Sequence, residues 1–120
     1  MAKKIHVVED DEDIRFIVEY ILKDSGFEVE LSENATQFIE YIRYGTPDLI
    51  ILDVMLPDGN GVDLCIDLKK EERTKNIPVI VMSAHAGALA VLEQACADDF
   101  ISKPFDLDKF LVRVKLQLPD

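Results

Sequence analysis

The feature that most constrains the fold is an alternation of two kinds of segment along the chain. Five short stretches are apolar and mostly rich in β-branched residues, which is typical of strands. Between and after them, apolar residues recur every three or four positions, as on one face of a helix. The strand-like stretches lie at residues 5–8, 27–31, 49–52, 77–82 and 100–101, and the helix-like stretches at 14–21, 35–42, 61–68, 88–95 and 107–114.

This alternation predicts an α/β fold built from βαβ units, with a five-stranded parallel sheet and five helices on its two faces. The third and fourth strand segments are continuous apolar runs, which is typical of central strands covered on both faces. The second alternates apolar residues with Glu28 and Glu30, so we expect it at an edge. Such an open, doubly wound sheet binds ligands beyond the carboxyl ends of its strands.

Residues at the segment boundaries agree with this pattern. Asn34, followed by Gln37 three residues later, resembles the capping box that begins many helices. Asp106 stands where it can cap the last helix. The turn residues 58–61 follow the third strand, and His6, inside the first strand, is interpreted as a packed histidine.

Length and charge exclude several classes of protein. The 120 residues suit one domain, and no apolar run approaches the roughly 20 residues of a membrane-spanning helix. The 24 acidic and 13 basic residues give a net charge of −11, which argues against direct binding to nucleic-acid phosphates. The first residues are not expected to be a signal peptide, because their apolar stretch is short, and Cys65 and Cys96 are interpreted as ordinary buried thiols. We therefore expect a cytoplasmic protein with no membrane attachment.

Polar side chains follow the strand segments at their carboxyl ends. The first strand is followed by Glu9 and Asp10, the third by Asp53, the fourth by Ser83, and the fifth is soon followed by Lys103. Three carboxylates in one crevice repel each other unless a cation lies among them, and oxygen ligands suit Mg²⁺. One of these carboxylates can then act as a nucleophile towards phosphorus, with the ammonium and hydroxyl groups stabilising charge.

Four motifs occur in order through almost the whole chain. They are VVEDDEDI at residues 7–14, LIILDVMLPDGNG at 49–61, VIVMSA at 79–84 and ADDFISKPF at 97–105. Together they resemble the receiver domains of two-component response regulators. The resemblance implies a flavodoxin-like receiver fold with strand order 2-1-3-4-5 over residues 1–120, with no effector domain in this chain.

The resemblance also implies a function in a phosphorelay. Asp53 is then the phospho-acceptor, and its donor is a sensor histidine kinase, a histidine phosphotransfer protein or a small acyl phosphate. The protein would be a signalling switch that assists its own phosphorylation and dephosphorylation, and not a turnover enzyme. The downstream effector or output domain is left unspecified.

Individual roles follow from the same resemblance. Asp10 would bind Mg²⁺ directly, Glu9 would act through water, and Met55 would offer its backbone carbonyl, alongside the acceptor carboxylate. Lys103 would contact the phosphoryl oxygens. The peptide bond between Lys103 and Pro104 is similar to one that is cis in the family, and only X–Pro bonds adopt cis at low cost.

Further positions resemble the parts that transmit the signal. Ser83 and Phe100 resemble a switch pair, in which the hydroxyl moves to the phosphoryl group and the ring rotates inward. The readout face would be the fourth helix, fifth strand and fifth helix, and a homodimer through this face stays open. Met55 and His85, two residues beyond Asp53 and Ser83, stand where the family tunes the lifetime of the phosphoryl group.

Some positions depart from the family or suggest other readings. Gly59 replaces a residue that is usually larger, which should loosen the loop after Asp53. Asp98 and Arg113 resemble charged residues that pair across dimers in DNA-binding members.

Two other functions stay open at this stage. One is a haloacid-dehalogenase-type phosphatase, which needs a second Asp where this chain has Met55. The other is a degenerate receiver that serves only as a binding scaffold, which would need none of the acidic cluster.

Overall fold

A computed structural model describes residues 2–84 and 97–118. The strands within these ranges are β1 (Lys4–Val8), β2 (Glu28–Ser32), β3 (Leu49–Asp53), β4 (Met55–Leu56), β5 (Gly59–Asn60), β6 (Val79–Ser83) and β7 (Asp99–Ser102). Five of them form one parallel sheet in the order β2-β1-β3-β6-β7, and β4 pairs with β5 in a small antiparallel hairpin. Since β6 and β7 are the fourth and fifth predicted strands, the predicted sheet and its strand order are confirmed.

The helices of the described ranges are α1 (Glu12–Asp24), α2 (Ala35–Ile42), α3 (Gly61–Lys70) and α4 (Leu107–Gln117). They correspond to the first, second, third and fifth predicted helices. The predicted fourth helix, at 88–95, lies outside the described residues, as do His85 and Cys96. Across residues 2–84 and 97–118, no helix is long and apolar enough to cross a membrane.

The sheet separates two apolar cores, because successive side chains of a strand point to opposite faces. On one face, Ile50 and Leu52 of β3 pack with residues of α2 and α3. On the other, Leu49 and Ile51 pack with residues of α1 and α4. β3 and β6 are buried along their whole length, whereas the edge strand β2 exposes Glu28 and Glu30, as predicted.

Short polar side chains begin the helices. Asp106 accepts hydrogen bonds from the backbone N–H groups of Asp108 and Lys109, which confirms the cap predicted for the last helix. Asn34 accepts one from the N–H of Gln37, at 2.8 Å. The side chain of Gln37 accepts its bond from the N–H of Glu33, also at 2.8 Å, so the reciprocal half of the predicted capping box is displaced by one residue.

The hairpin after β3 is attached to the N-terminus of α2. The Asp58 carboxylate accepts hydrogen bonds from the N–H groups of Ala35 (2.7 Å) and Thr36 (3.0 Å). Hydrogen bonds, first of all from the Thr36 hydroxyl, lower the pKa of Asp58. A Cβ atom on Gly59 would lie 3.0 Å from the Cβ of Ala35. Gly59 therefore allows a close approach to α2, and the loop that was expected to be loose is held against that helix.

Candidate functional site

Five of the predicted site residues meet at the carboxyl edge of the sheet. Glu9 and Asp10 follow β1, Asp53 ends β3, Ser83 ends β6 and Lys103 follows β7. They share an open groove of about 310 Å³. The groove is lined by Glu9, Asp10, Asp11, Ile14, Asp53, Met55, Ser83, Ala84 and Lys103.

Lys103 connects two of the acidic residues. Its Nζ atom lies 2.6 Å from Oδ2 of Asp53 and 2.6 Å from Oε1 of Glu9. Burial on its own would lower the pKa of Lys103, but its hydrogen bonds to these carboxylates and their negative charges outweigh burial and raise the pKa. The side chain is therefore a cation at neutral pH. The peptide bond between Lys103 and Pro104 is cis. The backbone N–H of Lys103 donates to the Ser83 carbonyl at 2.8 Å.

Asp53 is nearly buried, with an exposed fraction of 6%. Its second carboxylate oxygen, Oδ1, accepts a hydrogen bond from the N–H of Met55 at 3.0 Å. The chain then returns close to Asp53 at Gly61, whose N–H donates to the Val54 carbonyl at 2.8 Å. A Cβ atom on Gly61 would overlap the Asp53 carbonyl oxygen, so only glycine permits this approach. The Met55 side chain is exposed at the groove.

Glu9 is fully buried, whereas its neighbour Asp10 is exposed. Burial raises the pKa of Glu9 to about 7; the hydrogen bond with Lys103 opposes this shift, and the nearby Asp53 adds to it. Its Oε2 atom accepts a hydrogen bond from the N–H of Asp11 at 3.1 Å. A carboxyl group of this kind loses its proton more readily when a cation is near.

The three acids form a cluster that fits a divalent cation. Glu9, Asp10 and Asp53 each offer a carboxylate oxygen, and these oxygens lie within 4.8 Å of one another. Carboxylate oxygens with open positions for water are the ligands that Mg²⁺ prefers. The donor set therefore has the chemistry that the sequence predicted for a Mg²⁺ site.

The two predicted switch residues lie on neighbouring strands. Ser83 is almost fully buried at the end of β6, and Phe100 of β7 is half-buried. Phe100 pairs with Val81, two residues before Ser83, so Phe100 and Ser83 lie on the same face of the sheet. The ring packs against the core that contains Phe38 and Val81, and it also lines a groove beside α4.

The charged residues expected to pair across a dimer have partners within this chain. Asp98 accepts hydrogen bonds from Lys69 Nζ at 2.9 Å and from the N–H of Val79 at 2.8 Å. Arg113 forms an ion pair with Asp99 at 2.5 Å. Oδ2 of Asp98 and Nη1 of Arg113 are therefore already engaged within the chain.

Arg15 contacts the turn that carries Glu9 and Asp10, a contact that was not predicted from the sequence. Its Nη1 atom donates to the Glu9 carbonyl at 2.9 Å and lies 3.2 Å from the Asp10 carbonyl, and its Nη2 atom lies 3.0 Å from Oε1 of Glu33. The sequence signal for this contact is an arginine five residues after the acidic pair. This signal is weak, because arginines are common on helix surfaces.

A family model for the response regulator receiver domain matches residues 5–115. The chain belongs to this family. The match covers nearly the whole chain. The strand order β2-β1-β3-β6-β7 is the one that the resemblance to receiver domains implied.

Curated relatives of this receiver domain include the phosphate regulon transcriptional regulatory protein PhoB of Escherichia coli. The two are 37% identical over 118 residues, which is 96% of this chain and 51% of PhoB. The DNA-binding response regulator MtrA of Mycobacterium leprae is 32% identical over 120 residues, 98% of this chain and 52% of MtrA. The receiver domain thus spans about half the length of these curated relatives.

Solved structures share the fold over nearly the full length. A putative response regulator from Chloroflexus aurantiacus is 28% identical, with a TM-score of 0.93 and full coverage of both chains. The receiver domain of a sensor histidine kinase from Pseudomonas aeruginosa, which has a magnesium ion coordinated in its active-site cleft, is 22% identical and covers both chains fully. Its TM-score of 0.90 establishes a common fold.

Proposed function

We propose that this receiver domain is a phospho-accepting switch and that the Asp53 carboxylate is the acceptor. The observation that carries the proposal is the position of Asp53 at the end of the central strand β3, 2.6 Å from the Lys103 ammonium and inside the acidic cluster. An aspartate on the surface does not usually lie beside a half-buried ammonium. For a nucleophile this cation is useful, because it lowers the repulsion between the Asp53 carboxylate and the incoming anionic phosphoryl group.

The transfer is a displacement at phosphorus. One oxygen of Asp53 forms the new P–O bond while the bond from phosphorus to the donor breaks, and the electron pair of that bond leaves with the donor. The donor is a phosphohistidine, whose P–N bond breaks, or a small acyl phosphate, whose P–O bond breaks. Lys103 faces the phosphoryl oxygens as a cation, and Ser83 supplies a hydroxyl from the neighbouring strand end.

A bound Mg²⁺ would neutralise the acidic cluster and the oxygens of the incoming phosphoryl group. The exposed Asp10 and the acceptor Asp53 would hold it directly, with the Met55 backbone carbonyl, and the buried Glu9 would act through water. The three carboxylates support this assignment because their oxygens lie close enough to share one ion. Lys103 would then exchange its contacts with the carboxylates for contacts with the phosphoryl group.

The partners follow from the same chemistry. A sensor histidine kinase or a histidine phosphotransfer protein in the cytoplasm would supply the phosphoryl group. Phosphorylation would move Ser83 and Phe100 and change the face formed by the predicted fourth helix, β7 and α4. A downstream effector, an output domain or a second copy of the chain would read this face. Met55 and His85 would set how long the signal lasts, and the protein would not turn over substrate.

Intact mass spectrometry after incubation with acetyl phosphate and Mg²⁺ tests the proposal. We expect one added phosphoryl group in the parent and in Asp67→Asn, a matched change at an exposed aspartate of α3. Asp53→Asn should remain unlabelled. Equal labelling of Asp53→Asn would overturn the assignment, and failure of the parent to label would favour the scaffold alternative. Continuous release of p-nitrophenol from p-nitrophenyl phosphate would favour the phosphatase.

A further inference from the structure

We propose that Arg15 is a positioning residue that fixes the turn carrying Glu9 and Asp10, and so sets the affinity of the site for Mg²⁺. The inference rests on the proposed function, since it concerns the metal of the same site. Nη1 of Arg15 lies 2.9 Å from the Glu9 carbonyl oxygen and 3.2 Å from that of Asp10. One planar group therefore bridges the two consecutive peptide units from which both carboxylates project.

The guanidinium group is itself held in place. Its Nη2 atom is paired with Oε1 of Glu33 at 3.0 Å, and the Arg15 side chain is only 13% exposed. Glu33 is fixed in turn by Gln37, whose Oε1 atom accepts from the Glu33 N–H at 2.8 Å. The planar fork of an arginine matches two acceptors at once, which an ammonium cannot do with the same geometry.

The turn is also held from the side of the sheet. The N–H of Glu9 donates to the Ser32 carbonyl at the end of β2, at 3.0 Å. This bond fixes where the turn begins, and the N–H of the Asp10–Asp11 peptide unit donates to Oε2 of Glu9 at 3.1 Å. The carbonyl of that peptide unit needs a support of its own. Arg15 supplies that support, and this matters because Asp10 is the exposed member of the acidic pair and the one expected to bind the ion directly.

The charge of Arg15 and its position predict opposite effects on Mg²⁺. A cation close to a cation site repels the ion, so removing only the charge would strengthen binding. Loss of a group that orients the ligands weakens binding, typically by about 10-fold or more. The sign of the change in affinity therefore separates a positioning role from a purely electrostatic one, and an arginine that is only part of the solvated surface gives no change.

Isothermal titration of Mg²⁺ into the parent, Arg15→Gln and Arg15→Lys tests the inference. We expect binding about 10-fold weaker in Arg15→Gln. Arg15→Lys keeps the charge and should also bind more weakly, because one ammonium cannot span both carbonyls and Glu33. The control is Lys23→Gln, which removes an exposed positive charge from the same helix, paired with Glu19 at 2.8 Å, and should bind like the parent.

A second readout separates metal affinity from chemistry. Labelling by acetyl phosphate should be slow in the Arg15 variants at low Mg²⁺ and should approach the parent rate at saturating Mg²⁺. Urea unfolding shows whether each variant is folded. If Arg15→Gln does not fold, the Mg²⁺ affinity of Arg15→Lys tests the inference. Unchanged or tighter Mg²⁺ binding in a folded variant overturns the inference. A parent that binds no Mg²⁺ overturns the metal part of the proposed function together with it.

Discussion

Lys103 Nζ lies 2.6 Å from Oδ2 of Asp53, although 50 residues separate them in the chain. The same ammonium lies 2.6 Å from the buried Glu9. One cation thus contacts both the proposed acceptor and the least accessible acid of the cluster. A ligand that takes over either carboxylate must replace this contact.

Replacing Lys103 by methionine should separate metal binding from phosphoryl transfer. The variant loses the cation that faces the phosphoryl oxygens, and we expect labelling by acetyl phosphate to slow by about 100-fold. It also removes a cation that competes with Mg²⁺ for the carboxylates of Asp53 and Glu9. Mg²⁺ affinity, measured by isothermal titration, should therefore be at least as high as in the parent.

The control for this prediction is Lys115→Met, which removes an exposed lysine of α4. It should label and bind Mg²⁺ like the parent. A Lys103→Met variant that labels at the parent rate would show that its ammonium has no part in the transfer.

Gly61→Ala should damage the site far more than Gly59→Ala, although the two glycines are only two residues apart. A Cβ atom on Gly61 would overlap the carbonyl oxygen of Asp53 and displace backbone. We expect a loss of about 1–3 kcal/mol in the free energy of unfolding and slower labelling. At Gly59 the new contact is with the Ala35 side chain at 3.0 Å, so a small shift of α2 relieves it.

Urea unfolding at pH 7 gives both free energies, and acetyl phosphate labelling gives both rates. A Gly61→Ala variant as stable and as reactive as Gly59→Ala would mean that the backbone of Asp53 tolerates displacement.

The parts of the structure that could be predicted are those that the local pattern determines. The strand and helix periodicity predicted the sheet. Because the carboxyl ends of parallel strands meet at one edge, it was also possible to predict that Glu9, Asp53 and Lys103 lie close together. The contacts that support the site could not be predicted in this way. Asp58 caps α2 across 23 residues, and Arg15 binds backbone carbonyls, which carry no sequence signal.

The displaced capping bond at Gln37 has a similar cause. Asn34 and Glu33 each carry a backbone N–H group, and the sequence alone does not show which of them the Gln37 side chain accepts from. The pattern therefore predicted that a helix begins here, which is correct, but it did not predict which N–H group the Gln37 side chain accepts from.

Acid should destabilise the protein partly through His6. Burial lowers the pKa of His6 from 6.5 to about 4. Between these values the unfolded chain binds a proton on His6 that the folded chain does not, so stability falls as the pH falls from 6.5 to 4. The slope is about 1.4 kcal/mol per pH unit, up to about 3 kcal/mol in total.

Urea unfolding of the parent and His6→Gln from pH 7 to pH 4 isolates this effect, because other acids titrate in both proteins. Glutamine keeps a polar partner for Ser32, whose Oγ lies 2.7 Å from His6 Nε2. The neighbouring Tyr41 stays neutral, since its pKa is raised to about 12 by burial and by the charges of Glu30 and Asp48. The free-energy difference between the proteins should change with the predicted slope; a constant difference would mean that His6 does not titrate in this range.

Ser83→Ala should uncouple the phosphoryl site from Phe100. Both side chains lie on the same face of neighbouring strands, and Phe100 pairs with Val81, two residues before Ser83. A hydroxyl that moves towards Asp53 leaves space which the ring can enter. Without the hydroxyl, this coupling is lost, although Asp53 and Lys103 remain in place to bind the phosphoryl group.

Fluorine NMR of protein labelled with fluorophenylalanine measures this coupling, and Phe100→Leu assigns the signal among the six phenylalanines. Beryllofluoride with Mg²⁺ should shift the Phe100 signal in the parent and in Ser83→Thr, which keeps the hydroxyl. In Ser83→Ala, beryllofluoride should still bind, but the change that it causes in the Phe100 chemical shift should be no more than about a tenth of the change in the parent. Phe110, fully buried in the core on the other face, serves as the internal reference. A full shift of Phe100 in Ser83→Ala would show that the ring responds to the site by a route that does not include this hydroxyl.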